Sequence, residues 1–264
     1  MKIDQEIPGF RLQQSTRIDD IDSEGLVLTH GKSGTRLVAL QNDDENKVFC
    51  IGFRTPPPDE TGLPHIMEHS VLCGSKHYPA KEPFVELNKG SLSTFLNAFT
   101  GTDRTLYPVG SRNPADFRNL VDVYMDAVFN PAIYQKPEIF RQEGWHHELQ
   151  SPEGPISYRG VVYNEMKGAF SSPVRLLYNA LKRGLFPDTP YAYNAGGDPR
   201  HIPELTEEQF IDFHRRYYHP SNCYICVYGD VDLEAFLSRL DTRYLQHFDS
   251  REVDSLPPLQ QPFD

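Results

Sequence analysis

The chain has 264 residues, enough for one large domain or two small ones and for a core that needs no covalent staples. Hydrophobic residues make up 38 % and charged residues 24 %, and no apolar run is long enough to span a bilayer, so a membrane-spanning protein is excluded. Lys and Arg number 26 against 37 Asp and Glu; the net charge of -11 has the wrong sign for neutralising phosphates and argues against a nucleic-acid partner.

From the N-terminus, residues 25–30, 35–40 and 47–53 are short β-prone runs separated by Gly31-Lys32-Ser33-Gly34 and Asn42-Asp43-Asp44, which predicts a strand meander. Pro64 suits the first turn of a helix reaching about Cys73, with Thr61 as its cap, and a second helix is expected over 83–89. Residues 92–99 and 104–110 flank Gly101 as a β-hairpin. Phe117, Leu120, Val121, Tyr124 and Val128 then mark an amphipathic helix over 113–129 that stops at Asn130-Pro131. Further helices are expected over 156–170, 174–184, 207–217 and 233–240, with a strand over 223–228. Short turns between the early strands favour an α+β fold, a mainly antiparallel sheet flanked by helices, over a doubly wound parallel one. No repeat interrupts residues 1–250, and the Pro-rich, aperiodic stretch 251–264 reads as a linker leading out of the domain.

Cys50, Cys73, Cys223 and Cys226 are too few and too scattered for a disulfide framework, which fits a reducing compartment. The opening MKIDQEIPGF has neither a secretory apolar core nor an Arg-rich transit pattern. The expected location is therefore the cytoplasm of a bacterium, or the mitochondrial matrix or another organelle where a transit peptide has been removed.

The sharpest chemical feature is His65-Ile66-Met67-Glu68-His69 on the first predicted helix. Positions i, i+3 and i+4 share one face, so two imidazoles can reach one Zn2+ while Glu68 is held near the position left open on it. A third protein ligand is required. Glu165 falls among Tyr158, Val161, Val162, Met166 and Ala169 on the helix predicted over 156–170, and a carboxylate on a buried stripe wants either a basic partner or a cation. Cys223 and Cys226 have a metal-like spacing, but in a strand they point to opposite faces and read as inert thiols, although one sulfur could serve as a ligand. The cluster Glu143 to Glu148, with His146 and His147 adjacent, reads as packing around Trp145 and surface charge.

Several blocks in order then carry a resemblance: Gly62-Leu63-Pro64-His65-Ile66-Met67-Glu68-His69-Ser70-Val71-Leu72-Cys73-Gly74-Ser75, Leu96-Asn97-Ala98-Phe99-Thr100, Thr105-Leu106-Tyr107-Pro108-Val109, Gln142-Glu143-Gly144-Trp145 and Gly160-Val161-Val162-Tyr163-Asn164-Glu165-Met166-Lys167-Gly168. His-x-x-Glu-His is the inverted zinc motif of the inverzincins, and the whole resembles the pitrilysin/insulinase family of zinc metallopeptidases, in its presequence-protease and falcilysin-like branch. The resemblance implies an N-terminal catalytic domain with an antiparallel sheet and flanking helices. By it, one Zn2+ is held by His65, His69 and Glu165, Glu68 is the general base, and an extended peptide substrate lies along Leu96, Asn97, Ala98 and Phe99 at a sheet edge. It also implies a zinc-dependent endopeptidase acting on unfolded peptides inside a chamber that the C-terminal half of the same protein completes. In long-range terms the charge of -11 favours basic peptides. Two alternatives stand beside this: an incomplete half that binds zinc and peptide but needs the C-terminal half to cut, and a small-molecule lyase with Cys223 or Cys226 as third ligand.

Overall fold

The computed structural model describes residues 6–263 apart from Pro8 and Glu82. Its strands are β1 (Glu6–Ile7), β2 (Phe10–Ile18), β3 (Ser23–His30), β4 (Arg36–Gln41), β5 (Lys47–Arg54), β6 (Ser93–Leu96), β7 (Phe99–Thr100), β8 (Arg104–Ser111), β9 (His146–Leu149), β10 (Ile156–Arg159) and β11 (Cys223–Gly229). The helices are α1 (Leu63–Val71), α2 (Pro83–Gly90), α3 (Pro114–Phe129), α4 (Glu138–Glu143), α5 (Val161–Ala169), α6 (Pro173–Leu185), α7 (Glu207–Tyr217) and α8 (Leu233–Arg243).

Nine strands form one sheet in the order β1-β2-β3-β4-β11-β5-β8-β6, with β7 also paired to β8. All its neighbours are antiparallel except β4 and β11. The expected α+β fold with a mainly antiparallel sheet is therefore the one found. β11 comes from far along the chain and inserts between β4 and β5, so the meander is split by its last strand. Alternation decides which side is covered: Leu26, Leu28, Leu37, Ala39, Phe49, Ile51, Tyr107, Ile225 and Val227 are buried on one face, beneath α3 and its neighbours. Cys223 lies on the buried face, whereas Cys226 pairs across strands with Cys50 and is part-exposed, and no disulfide joins the four cysteines.

Most element boundaries follow local chemistry. Asn113 accepts hydrogen bonds from the backbone N–H groups of Ala115 and Asp116 ahead of α3, and Thr206 with Gln209 forms a capping box on α7. Two expectations are corrected. Thr61 does not cap α1; its hydroxyl donates to Asp59 at 2.5 Å, and Gly62, at φ 71°, occupies the cap position. The helix expected over 156–170 begins only at Val161. Residues Ile156–Arg159 instead pair as β10 with β9, because their alternating side chains follow a turn closed by Gly154 N–H on the Ser151 carbonyl. Gly160 separates the two, and a side chain there would collide with the Gly144 carbonyl, so only glycine lets α5 start against the end of α4.

Residues 251–263 carry no regular secondary structure, but Ser255 is buried and donates to Asn222 Oδ1 at 2.7 Å. No helix among the described residues is long and apolar enough to cross a membrane.

Candidate metal centre

Helix α1 packs against α4, α7 and the β7–β8 hairpin, with nearly all its side chains buried. One turn of helix sets the rings of His65 and His69 at 4.8 Å between centroids, nearly perpendicular. Across from them, α5 brings Glu165 Oε2 to 3.7 Å from His65 Nε2 and 3.9 Å from His69 Nε2. The three candidate ligand atoms lie within 4.8 Å of one another. The position of Glu165 corrects the reasoning that first pointed to it. Its side chain is 55 % exposed, Val161 is exposed, Tyr158 lies on β10, and only Val162 and Met166 of that stripe are buried on α5. Glu165 is notable for what it faces, not for being buried.

Both imidazoles are oriented from behind. His65 Nδ1 donates to the Gly196 carbonyl at 3.3 Å, and His69 Nδ1 donates to Glu143 Oε2 at 3.3 Å. With Nδ1 carrying the proton, each ring turns the Nε2 lone pair toward Glu165, the tautomer a metal ligand needs. Burial, reinforced by the neighbouring His69, lowers the pKa of His65. Burial acts on His69 as well, but its hydrogen bond to Glu143 and the charges of Glu68, Glu143 and Glu165 outweigh it and raise its pKa. Glu143 is likewise buried, yet the His69 hydrogen bond holds its pKa below the usual range. Two ring nitrogens and one carboxylate oxygen, converging from two helices with outer partners on both rings, fit a zinc-type site.

Glu68, 7 % exposed, shares the face of the two histidines, and its Oε2 accepts from the Thr100 hydroxyl at 2.5 Å. That contact ties it to the sheet edge. β6 is the outermost strand on this side and ends at Leu96. The Asn97 N–H donates to the Pro108 carbonyl at 3.3 Å, and the Asn97 carbonyl accepts from the Tyr124 hydroxyl at 3.2 Å. The Ala98 N–H donates to Asn97 Oδ1 at 2.9 Å, and Phe99 opens β7 with its ring stacked on Phe95. The run expected as one strand is thus two short ones with a break at Asn97-Ala98, beside Glu68.

Three participants escaped the sequence reading. Glu143, expected from the sequence as surface charge, is 6 % exposed and accepts a hydrogen bond from His69; the need of a candidate ligating imidazole for a second acceptor is the signal that points to it. Thr100 stands in one of the blocks that carry the resemblance but has no role assigned there, and Gly196 has no signal, since a hydroxyl and a carbonyl act only by where the fold places them. The remaining candidates stay apart, as expected: His147 packs on Trp145 and Tyr158, His146 Nδ1 donates to the Arg141 carbonyl, and neither Cys223 nor Cys226 belongs to the cluster.

A family model described as insulinase (peptidase family M16) matches residues 47–147, and one described as the peptidase M16 inactive domain matches residues 204–264. The chain is 52 % identical over 256 residues to protein HypA of Clostridium perfringens, covering 97 % of this chain and 26 % of that one. It is 53 % identical over 242 residues to presequence protease 1, chloroplastic/mitochondrial, of Arabidopsis thaliana, covering 92 % and 22 %. Against the mitochondrial presequence protease of Mus musculus the figures are 42 % over 266 residues, 100 % and 26 %. The crystal structure of pitrilysin superposes with a TM-score of 0.70 at 18 % identity over 94 % of this chain and 25 % of that one, a likeness of fold. The chain spans about a quarter of the length of the curated relatives it matches.

Proposed function

Since this chain belongs to the insulinase, or pitrilysin, family of peptidases and is presequence-protease-like within it, we propose that it is the zinc-binding N-terminal domain of an endopeptidase that degrades unfolded peptides. The observation that carries the reading is the convergence of His65, His69 and Glu165 within 4.8 Å, with Glu68 on the same helical face. His65, His69 and Glu165 would hold one Zn2+. Bound there, zinc supplies Lewis-acid chemistry, acidifying water and polarising a scissile carbonyl.

The chain's own groups do the rest. Glu68 takes a proton from the attacking water as its oxygen bonds to the carbonyl carbon, then gives that proton to the amine as the C–N bond breaks. Thr100 aims the Glu68 carboxylate by its hydrogen bond. Glu143 and the Gly196 carbonyl keep the two imidazoles in one tautomer and one orientation. The peptide adds as an extended strand beside Leu96, Asn97, Ala98 and Phe99, which brings its backbone past Glu68. Residues 1–250 would form this domain and 251–264 would lead onward.

A partner half is part of the proposal. Its support is the share of its relatives that this chain spans, together with α6, where Val174, Leu177, Tyr178, Leu181 and Leu185 form an exposed apolar stripe suited to cover by another surface. The decisive experiment is Glu68→Gln in the full-length chain. Zinc content measured by metal analysis should be retained while peptide cleavage is lost, and cleavage that survives the substitution would remove Glu68 as the base.

A further inference from the structure

Next to the metal centre, a cavity of about 530 Å³ opens between the β7–β8 turn, α6 and the 194–196 loop. It shares Thr100 with Glu68 and Gly196 with His65, so it adjoins the place where the proposed chemistry occurs. Its lining includes two cations, Arg175 and Lys182, and no carboxylate. Arg175 is exposed, and Lys182 Nζ spends one N–H on the Tyr193 carbonyl at 3.1 Å, leaving further donors.

The second observation is Asn179, which lines the cavity at 9 % exposure and whose buried Nδ2 has no hydrogen-bond partner. The orientation of this amide is determined by its neighbours. Asn194 Oδ1 accepts from the Gly196 N–H at 3.0 Å, so Asn194 must present Nδ2 to Asn179, and it donates to Asn179 Oδ1 at 3.4 Å. Asn179 is thereby left holding out its donor. An unpaired buried amide is costly, and an incoming acceptor recovers that cost. A neutral carbonyl could serve as that acceptor, but Arg175 and Lys182 both line the cavity, and Glu60, the carboxylate near Lys182, is engaged by Arg183 at 2.6 Å and by the Asn194 N–H at 3.2 Å, so an anionic acceptor is favoured.

We propose that this cavity is a substrate subsite for a carboxylate of the bound peptide, supplied by an Asp or Glu side chain beside the cleaved bond or by a free C-terminus. The proposal rests on the peptide-hydrolysing reading above. It also separates two length scales: the net charge of -11 attracts basic peptides from a distance, while the subsite selects an acid at one place.

The test uses the full-length chain and peptides differing only by Glu or Gln at single positions on either side of the cut bond, each with a free or an amidated C-terminus. Binding is read by fluorescence anisotropy on the Glu68→Gln chain, and KM and kcat are read on the active chain. At one position, or at the terminus, the acid form should bind about tenfold tighter, with the difference in KM and not in kcat. Arg175→Glu should invert that ratio and Asn179→Leu should bring it toward one; if the buried Leu variant fails to fold, the exposed Arg175 variant decides. Equal binding of acid and amide forms at every position and terminus, or a ratio indifferent to Arg175→Glu, overturns the subsite. Peptides cut without preference would leave hydrolysis standing and the subsite fallen; peptides bound with the preference but never cut would do the reverse.

Discussion

The carboxylate behind His69 shows how much of this centre is carried by a residue outside the motif. Glu143 is buried, accepts from His69 Nδ1 at 3.3 Å and has its other oxygen on Gln142 Nε2 at 2.9 Å. Replacing it with Gln keeps the shape and removes the charge. Zinc affinity, measured by competition with a chelator, should fall on the order of ten- to a hundredfold while the fold is kept; unchanged affinity would make Glu143 a bystander. A contrasting cluster shows why geometry must be weighed against access. His30 contacts Ser33 Oγ at 2.8 Å and Asp241 Oδ1 at 3.0 Å, the layout of a hydrolase triad. Ser33 is fully buried and also bonded to the Thr35 hydroxyl, so the arrangement fastens the β3–β4 turn to α8 and offers no nucleophile.

Helix α1 is seated by glycine. A side chain on Gly62 would stand 2.6 Å from the Gly196 carbonyl oxygen and 2.8 Å from Gly197 Cα, and the backbone there is left-handed. The loop that meets Gly62 is the one whose carbonyl orients His65. Gly62→Ala should therefore lower thermal stability by at least about 1 kcal/mol and weaken metal binding together; a melting curve and a metal titration that both match the parent would refute this. Helix α7 is joined to the rest by His214, whose Nε2 donates to the Val128 carbonyl at 2.9 Å and whose Nδ1 accepts from the Tyr134 hydroxyl at 2.7 Å. Full burial lowers its pKa from 6.5 to about 4. Between those values the unfolded chain binds the proton and the folded chain does not. The contribution of His214 is thus complete above about pH 6.5, is lost as the pH falls, and is gone below about pH 4, some 3 kcal/mol in all. Urea titrations across that window should show this slope in the parent and a flatter one in His214→Gln.

At the scale of the molecule, the sheet edge, the α6 stripe and the candidate metal centre lie on one chain that spans about a quarter of its relatives' length. The proposed endopeptidase should cut peptides poorly as this chain alone and well once the C-terminal half is added as a separate polypeptide. Equal turnover with and without that half, by a quenched fluorescent peptide, would show the domain to be self-sufficient. Adding the other half should also protect α6 from proteolysis, because Leu177, Tyr178 and Leu181 would pass from solvent into an interface.

What could be read from the sequence was whatever depends on neighbours along the chain. His65, Glu68 and His69 share a face because helical periodicity is local, Asn113-Pro114 starts α3 by its own chemistry, and antiparallel pairing follows from short turns. The burial argument that singles out Glu165 does not hold, since its side chain is 55 % exposed, whereas the ordered blocks of the family resemblance imply the same residue independently of burial. The tertiary structure alone decided the contacts between distant segments: Glu165 opposite the histidines, Glu143 behind one and the Gly196 carbonyl behind the other, Thr100 on Glu68, and β11 inserted beside β4. Those separations run from tens of residues to nearly two hundred, and they are set by how helices and sheet pack, which no local preference encodes.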